Sequence, residues 1–489
     1  METAALIVVL VIALALFFDF TNGFHDTANA MATPIATGAL KPRTAVLLAA
    51  GLNLVGAFLS TEVAKTISGG MIREDQLSDA IFPAIIFAGL IGAITWNMLT
   101  WLLGLPSSSS HALFGGLIGA TLVGASAAAI DFGVVLSKVV LPAVIAPLTA
   151  GVIAFTATRI AYAVTRRADG KPDGRDGFRW GQIFTSSLVA LAHGTNDAQK
   201  TMGVITLTLV AANLQEPGTG PHLWVVVACA LAIAIGTYSG GWRIIRTLGA
   251  GLTQVKPAQG FAAETSTAAT ILASSHLGFA LSTTQVASGS VIGSGLGRRG
   301  SSVRWRTAGR IGLGWLFTLP AAGIVGALAA LIAHIGMVGV IIDAVLGFGF
   351  ILFIFWRSRR NRVDSSNAIS VPDVAEAGYA VRVKKSKVKR VSTRTGTIPP
   401  LTPVAQSAVR SDIAAKEAES ARAAAEEEAA AEEDAAAEAD AEAIAAGASA
   451  ETAPGDPDPG PAQGTDSPET AESAENAETA ENAEKGAAR

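Results

Sequence analysis

Long apolar stretches recur through the first three quarters of the chain, near residues 4–20, 44–60, 81–103, 111–130, 134–157, 181–212, 222–242, 260–277, 285–296, 308–333 and 338–356. As helices, rising about 1.5 Å per residue, most are long enough to cross a hydrocarbon core of about 30 Å. The pattern predicts an all-α polytopic membrane protein of about 10–12 transmembrane helices, re-entrant or hairpin elements included. The first run has neither a basic leading segment nor a clear cleavage site, so it reads as a retained span. After Trp356 the apolar runs stop. Residues 357–411 read as a basic juxtamembrane linker, 412–448 as an Ala/Glu-rich single helix, and 449–489 as an acidic disordered tail.

Two polar phrases interrupt this apolar sequence. Asn22 to Met31 reads NGFHDTANAM and His193 to Met202 reads HGTNDAQKTM, so that Gly23/Gly194, Asp26/Asp197 and Met31/Met202 coincide at a spacing of 171 positions. Ionisable groups at membrane depth are costly and normally face a polar cavity or pathway, so a duplicated aspartate points to a transport site.

Charges in the connections orient the two copies. Lys41-Pro42-Arg43 is basic, whereas its counterpart Asn213 to His222 holds no Lys or Arg. Gly69 to Asp79 is mostly acidic, and its counterpart carries Arg243, Arg246 and Lys256. After the fourth run the first half offers only Ala127 to Asp131, and the second half offers Arg298, Arg299, Arg304, Arg306 and Arg310. Basic loops tend to remain cytoplasmic, so matching loops fall on opposite sides, the signature of two inverted-topology repeats. The division expected is a first repeat over 1–158, a cytoplasmic basic loop over 159–180 and a second repeat over 181–356, with the N-terminus outside and the tail inside.

A second duplicated element follows each aspartate. Leu105 to Ala120 reads LPSSSSHALFGGLIGA and Phe279 to Ser294 reads FALSTTQVASGSVIGS. Ser108, Ser109 and Ser110 thus match Ser282, Thr283 and Thr284, each run just ahead of a Gly-rich apolar helix. Hydroxyls there cap helix N-termini, where free N–H groups and the helix dipole favour an anion. A tetrahedral oxyanion such as phosphate fits those donors, with sulfate and arsenate equally accommodated. Simple capping of two hairpin helices explains one such run, but two related by a repeat favour a ligand. Gly115/Gly119 and Gly289/Gly293 are spaced to let neighbouring helices approach closely.

Positive charge near these phrases is scarce, and Lys200 is the only Lys or Arg within them. A cation bound beside the anion balances such a site, with Asp26 and Asp197 holding it. Backbone carbonyls freed by helix breaks near Gly23 and Gly194, with Asn22, Asn29 and Asn196, would supply hard oxygen ligands for Na+ or a divalent ion. A proton is an equal candidate, relayed by His25 or His111.

The rest of the composition narrows the classes. Cys229 is the only cysteine, so no intrachain disulfide forms and no cysteine metal site is expected. No G-x-S-x-G elbow, Walker loop or zinc spacing accompanies the Ser, His and Asp residues, so catalysis is not expected. The net charge of −4 averages a basic segment with an acidic tail and says little about partners. Basic residues over 357–394 lack interleaved aromatics and follow a membrane domain, which favours anionic lipid over nucleic acid.

At these motifs the chain resembles the inorganic phosphate transporter (PiT) family, in its bacterial low-affinity permease form. The repeated G-x-N-D phrase, best matched by HGTNDAQKTMG, is joined by GTYSGGWRII at Gly236 to Ile245 and QGFAAETSTAATILASS at Gln259 to Ser275. The resemblance covers nearly all of residues 1–356 and implies phosphate uptake coupled to Na+ or H+, or carriage of a metal–phosphate complex, by alternating access. It implies no cofactor beyond the co-transported ions, and a homodimer is compatible with it. Asn196 and Lys200 would join the hydroxyl runs on the phosphate, and Glu264 matches an acidic position of the family. Departures are His25 in place of Asn, Gln285 in place of His, Ser109-Ser110 in place of Thr-Thr and Asn53 in place of a Glu found in some sodium-coupled members. A non-transporting sensor on the same fold is the alternative in another class.

Overall fold

The computed structural model describes residues 2–73, 82–169, 176–279, 281–360, 363–365 and 367–368. All belong to one compact unit, Met1–Lys385. The second unit, Ser386–Arg489, lies outside the described residues, as do the Ala/Glu-rich helix, the acidic tail and nearly all of the basic linker expected from sequence.

Fourteen α-helices form among the described residues: α1 Glu2–Ala36, α2 Pro42–Gly56, α3 Glu62–Gly70, α4 Phe82–Leu103, α5 Ser109–Gly124, α6 Phe132–Val135, α7 Leu141–Asp169, α8 Asp176–Ala211, α9 Leu223–Ser239, α10 Trp242–Arg246, α11 Pro257–His276, α12 Thr283–Gly297, α13 Trp305–Ala333 and α14 Met337–Arg360. Five stretches, built on α1, α4, α6–α7, α13 and α14, are long and apolar enough to cross a membrane, and α9 with α10 makes a sixth candidate bent by 57°. The apolar runs near 44–60, 111–130 and 285–296 become helices of 15, 16 and 15 residues, which places them among the shorter, hairpin elements.

Burial is arranged as a bilayer requires. Leu148, Val152, Leu316, Ile324, Phe348 and Leu352 expose their side chains on α7, α13 and α14, while Asp26, His193, Asp197, Lys200 and Glu264 are buried. Lipid tails tolerate the first set at no cost, and the second set can persist only where the protein supplies partners. The protein is therefore a multi-pass membrane protein with a polar interior.

The two repeats interlock reciprocally. A Cβ on Gly23 of α1 would strike the backbone of Ile233 and Thr237 in α9, and one on Gly194 of α8 would strike the backbone of Asn53 in α2. Gly115 and Gly119 of α5 lie against Leu319 and Gly323 of α13, just as Gly289 and Gly293 of α12 lie against Pro147 and Gly151 of α7. Even the two isolated bridges correspond, Ile72 with Ile130 and Thr253 with Val303. When each contact recurs with the halves exchanged, the halves are related by a twofold operation.

One expectation fails here. No break occurs near Gly23 or Gly194, because α1 and α8 run unbroken through both polar phrases. Glycine in these phrases permits close helix approach, and the main-chain hydrogen bonding stays within the helix. Carbonyls freed by unwinding near these glycines are therefore not ligands, and any oxygen ligands that α1 and α8 supply must come from their side chains.

Candidate functional site

The caps expected from the hydroxyl runs form as capping logic requires. Ser108 accepts from the His111 amide at 3.1 Å and Ser282 from the Gln285 amide at 3.3 Å, which starts α5 and α12 at these points. The next residues of each run, freed from capping, turn towards α1 and α8.

There they meet the duplicated aspartates. Ser109 donates to Asp26 Oδ2 at 3.2 Å, Thr284 donates to Asp26 Oδ1 at 3.1 Å, and His25 Nδ1 lies 2.7 Å from the same Oδ1. Thr283 stands between the carboxylates, its Oγ1 3.1 Å from Asp26 Oδ2 and 3.1 Å from Asp197 Oδ2. Asn29 donates to Thr283 at 3.3 Å and to Thr284 at 3.1 Å, so it positions the hydroxyls and reaches the aspartates only through them.

Asp197 is equally surrounded. Asn196 donates to Oδ1 at 2.9 Å and the Lys200 ammonium is ion-paired with that oxygen. The Leu281 carbonyl, just ahead of α12, gathers three donors: Lys200 at 3.0 Å, Asn196 at 3.1 Å and Ser110 at 3.1 Å. The site thus unites α1, α5, α8 and α12, with both halves contributing through the pseudo-twofold.

His193 carries no role in the sequence reading, yet it occupies the middle of the cluster. Its Nε2 is 2.9 Å from Asp197 Oδ2 and 3.8 Å from Asp26 Oδ2, while its Nδ1 is 3.2 Å from Asn53 Oδ1. Asn53 in turn donates to Thr237 at 2.7 Å, which ties the centre to α9. The available signal was its spacing four residues before Asp197, which puts both on one helix face. Asp26, His193 and Asp197 each offer a ligand atom within 4.8 Å of the others, the one such set among the described residues. In this conformation those atoms engage one another and the hydroxyls.

Other candidates fall apart from this centre. Glu264 on α11 is held by the hydroxyls of Thr33 and Thr185, the latter at 3.3 Å, and Gln182 donates to Thr33 at 3.2 Å. His25 reaches on to Ser107 at 3.4 Å, which meets Thr100 at 2.7 Å. His111 is buried on α5 and contributes its backbone amide to the Ser108 cap. Asn22 is buried with neither amide atom hydrogen-bonded.

Comparison with known proteins accounts for the duplicated geometry. A family model described as "Phosphate transporter family" matches twice, over residues 22–175 and 163–326. The chain belongs to this phosphate transporter family. A relative from Mycobacterium leprae, described as "Probable low-affinity inorganic phosphate transporter", is 54% identical over 367 residues, covering 74% of this chain and 87% of the relative. One of the same description from Bacillus subtilis is 40% identical over 334 residues, covering 68% and 99%. A solved structure titled "The sodium-dependent phosphate transporter" superposes with a TM-score of 0.57 at 23% identity, covering 68% of this chain and all of that one, and shares the fold. All the hydroxyls, carboxylates and amides that converge here lie within the family's double match.

Proposed function

We propose that this phosphate transporter family member imports inorganic phosphate with a co-transported cation by alternating access. The observation that carries the reading is the convergence of Thr283, Thr284 and Ser109 on Asp26 and Asp197 beside Lys200. These hydroxyls are donors that an incoming tetrahedral anion can take over, since each is a strong partner for a phosphate oxygen. Lys200 would meet the anion as a point charge and Asn196 would add an amide donor, with Ser108, Ser110 and Ser282 shaping the helix ends.

The carboxylates of Asp26 and Asp197, with Asn22 and Asn29 near them, fit a cation that offsets the anion's charge, either Na+ or H+, with a divalent metal accompanying phosphate as a further form. His25 supports a proton route through Ser107. Glu264 fits a second acidic station for the cation. Two interlocked halves related by a twofold give the alternation: rocking one half against the other exposes the shared centre to either side. The loop charges favour an external N-terminus and a cytoplasmic tail.

Purified full-length protein in proteoliposomes should accumulate radiolabelled phosphate under an imposed sodium or pH gradient, and uptake should saturate. Absence of uptake under both gradients, with and without divalent metal, would overturn the reading. Stronger competition by sulfate or arsenate than by unlabelled phosphate would reassign the substrate.

A further inference from the structure

α14 lies beyond the duplicated part of the chain, since the family match ends at residue 326. It packs on α4 and α13 and touches α1, and between α1, α4 and α14 runs a groove of about 360 Å3. Leu14 and Phe17 of α1, Ile91 and Thr95 of α4, and Gly347 and Ile351 of α14 line it. The volume is in the range of small-ligand sites, but in a bilayer an apolar lining selects nothing. Lipid tails are as apolar as the side chains they would touch, so preference for one molecule must come from a polar end.

Such an end is at hand. The groove face of α14 advances a turn at a time from Gly347 through Ile351 to Phe355, and next to Ser358 and Arg359. Arg357, Arg359 and Arg360 make up the last turn, all exposed, and no ion pair holds any of them among the described residues. Arg243 of α10 comes to the same place. Its Nη2 donates to the Ser358 carbonyl at 3.0 Å and to the Ser358 hydroxyl at 3.2 Å, and it lies within electrostatic reach of Arg357. Like charges brought together favour an anion among them.

The dimensions suit one leaflet. From Gly347 to Arg357 the helix rises about 15 Å, half the thickness of a hydrocarbon core. Trp356, exposed and 4.4 Å from the Arg360 guanidinium, marks the level where aromatic side chains meet the membrane–water boundary.

This end is also joined to the central site. Trp101 of α4 meets Phe355 at 6.0 Å and Phe24 at 5.2 Å, the residue just ahead of His25 and Asp26. Arg243 donates to the Leu102 carbonyl at 3.4 Å and Thr247 to the Gly104 carbonyl at 2.7 Å. Both bonds hold the connection that runs on to Ser109.

We propose that one anionic phospholipid binds here, with an acyl chain in the groove between α1, α4 and α14 and its phosphate among Arg243 and the arginines ending α14, and that it braces the connection from α4 to α5. Guanidinium groups take phosphate oxygens through paired hydrogen bonds, whereas a zwitterionic head brings its own cation. Basic segments attract anionic lipid in general, and the groove adds one place and one orientation. Binding is independent of the transport reading above, while the bracing role rests on it.

The test uses the full chain in detergent, with dioleoyl phosphatidylglycerol and dioleoyl phosphatidylcholine as probes. The first should raise the melting temperature by about 2–4 °C at roughly tenfold excess over its dissociation constant, and the second should not. Native mass spectrometry should find one phosphatidylglycerol retained per chain. Arg357→Gln with Arg359→Gln removes the charge, and Ala13→Phe fills the groove that Ala13 also lines, so each should abolish the shift. Arg43→Gln with Arg159→Gln, exposed arginines of α2 and α7, should keep it. In proteoliposomes, phosphatidylglycerol should speed wild-type phosphate uptake by about threefold over phosphatidylcholine alone, and the Arg357/Arg359 variant should lose that gain.

An equal shift with phosphatidylcholine, or with soluble glycerol 3-phosphate, would overturn the site, as would a shift retained in both the arginine and the groove variants. Loss of the shift in the Arg43/Arg159 control would assign it to surface charge in general and overturn it too. A wild type that is dimeric by light scattering and becomes monomeric in Ala13→Phe, with no lipid retained by either, would give the groove to a second copy instead. Equal wild-type uptake in the two vesicle types would overturn the bracing role. No uptake in any vesicle overturns the transport reading and leaves melting to decide the site. Should Ala13→Phe fail to fold, Ala344→Leu fills the same groove, and a full shift retained there would count against the proposal.

Discussion

His193 Nε2 lies 2.9 Å from Asp197 Oδ2, one helical turn apart on α8. The same nitrogen is 3.8 Å from Asp26, so one imidazole stands between two carboxylates that the repeat brings together at the centre. Without it, two buried negative charges would share only the Thr283 hydroxyl.

His193→Ala should therefore reduce phosphate uptake at least tenfold and destabilise the protein by about 3–5 kcal/mol, the range for breaking a buried charge pair. Uptake in proteoliposomes and melting in detergent read the two effects. Uptake within twofold of wild type would show that the imidazole is not needed at the centre.

Thr283→Val removes the hydroxyl that both aspartates accept and keeps the side chain's shape. Each oxygen keeps one other partner, Ser109 on Asp26 and His193 on Asp197, so what is lost is a hydrogen bond to a charged group, about 1.5–3 kcal/mol, and uptake should fall at least fivefold. Thr283→Ser should restore most of it, because the donor returns without the methyl group. Equal activities of the Val and Ser variants would assign Thr283 to packing.

The helix crossings make a separate prediction. Gly194→Ala would drive a Cβ to 2.7 Å from Asn53 Cα, and Gly23→Ala would bring one to 2.9 Å from the Thr237 amide. Each should destabilise by about 1–3 kcal/mol through overpacking against backbone that cannot give way. Gly349→Ala, with nothing within 4 Å of the new Cβ, is the control and should melt with the wild type. Thermal unfolding in one detergent decides it, and equal melting of all three would refute the close approach.

Outside the spans, Arg73 holds the Asp131 carboxyl below its ordinary range, at 3.0 Å, and Asp131 also caps α6 through the Gly133 and Val134 amides. The folded value is depressed, so the stabilisation is present above the unfolded value of about 3.9 and is lost as pH falls through the lower folded value. Asp131→Asn should melt below wild type near neutral pH, and the gap should close progressively below about pH 4. A gap independent of pH would locate the effect in the side chain's shape. The Arg73 side chain is exposed and Asp131 is partly so, and the gap should therefore be small and should shrink in high salt.

Most of the site's membership was written in the sequence because the repeat duplicates it. Two phrases and two hydroxyl runs, each found twice in apolar surroundings, named Asp26, Asp197, Ser109, Thr283 and Thr284 before any contact was known. Their meeting could not be read the same way, since Thr283 lies 257 residues from Asp26 in the chain. His193 was overlooked because its counterpart at the repeat spacing, Asn22, is not a histidine.

By itself the sequence determined that the chain is helical, crosses a membrane repeatedly and repeats itself, because length, apolar runs and motif spacing are local properties that a bilayer reads directly. Only the tertiary structure decided that α1 and α8 stay unbroken, that their glycines serve α9 and α2, and that Asp26 and Asp197 meet through Thr283 and His193. Those outcomes depend on which helix lies against which, and a buried charge's environment is set by neighbours distant in the chain.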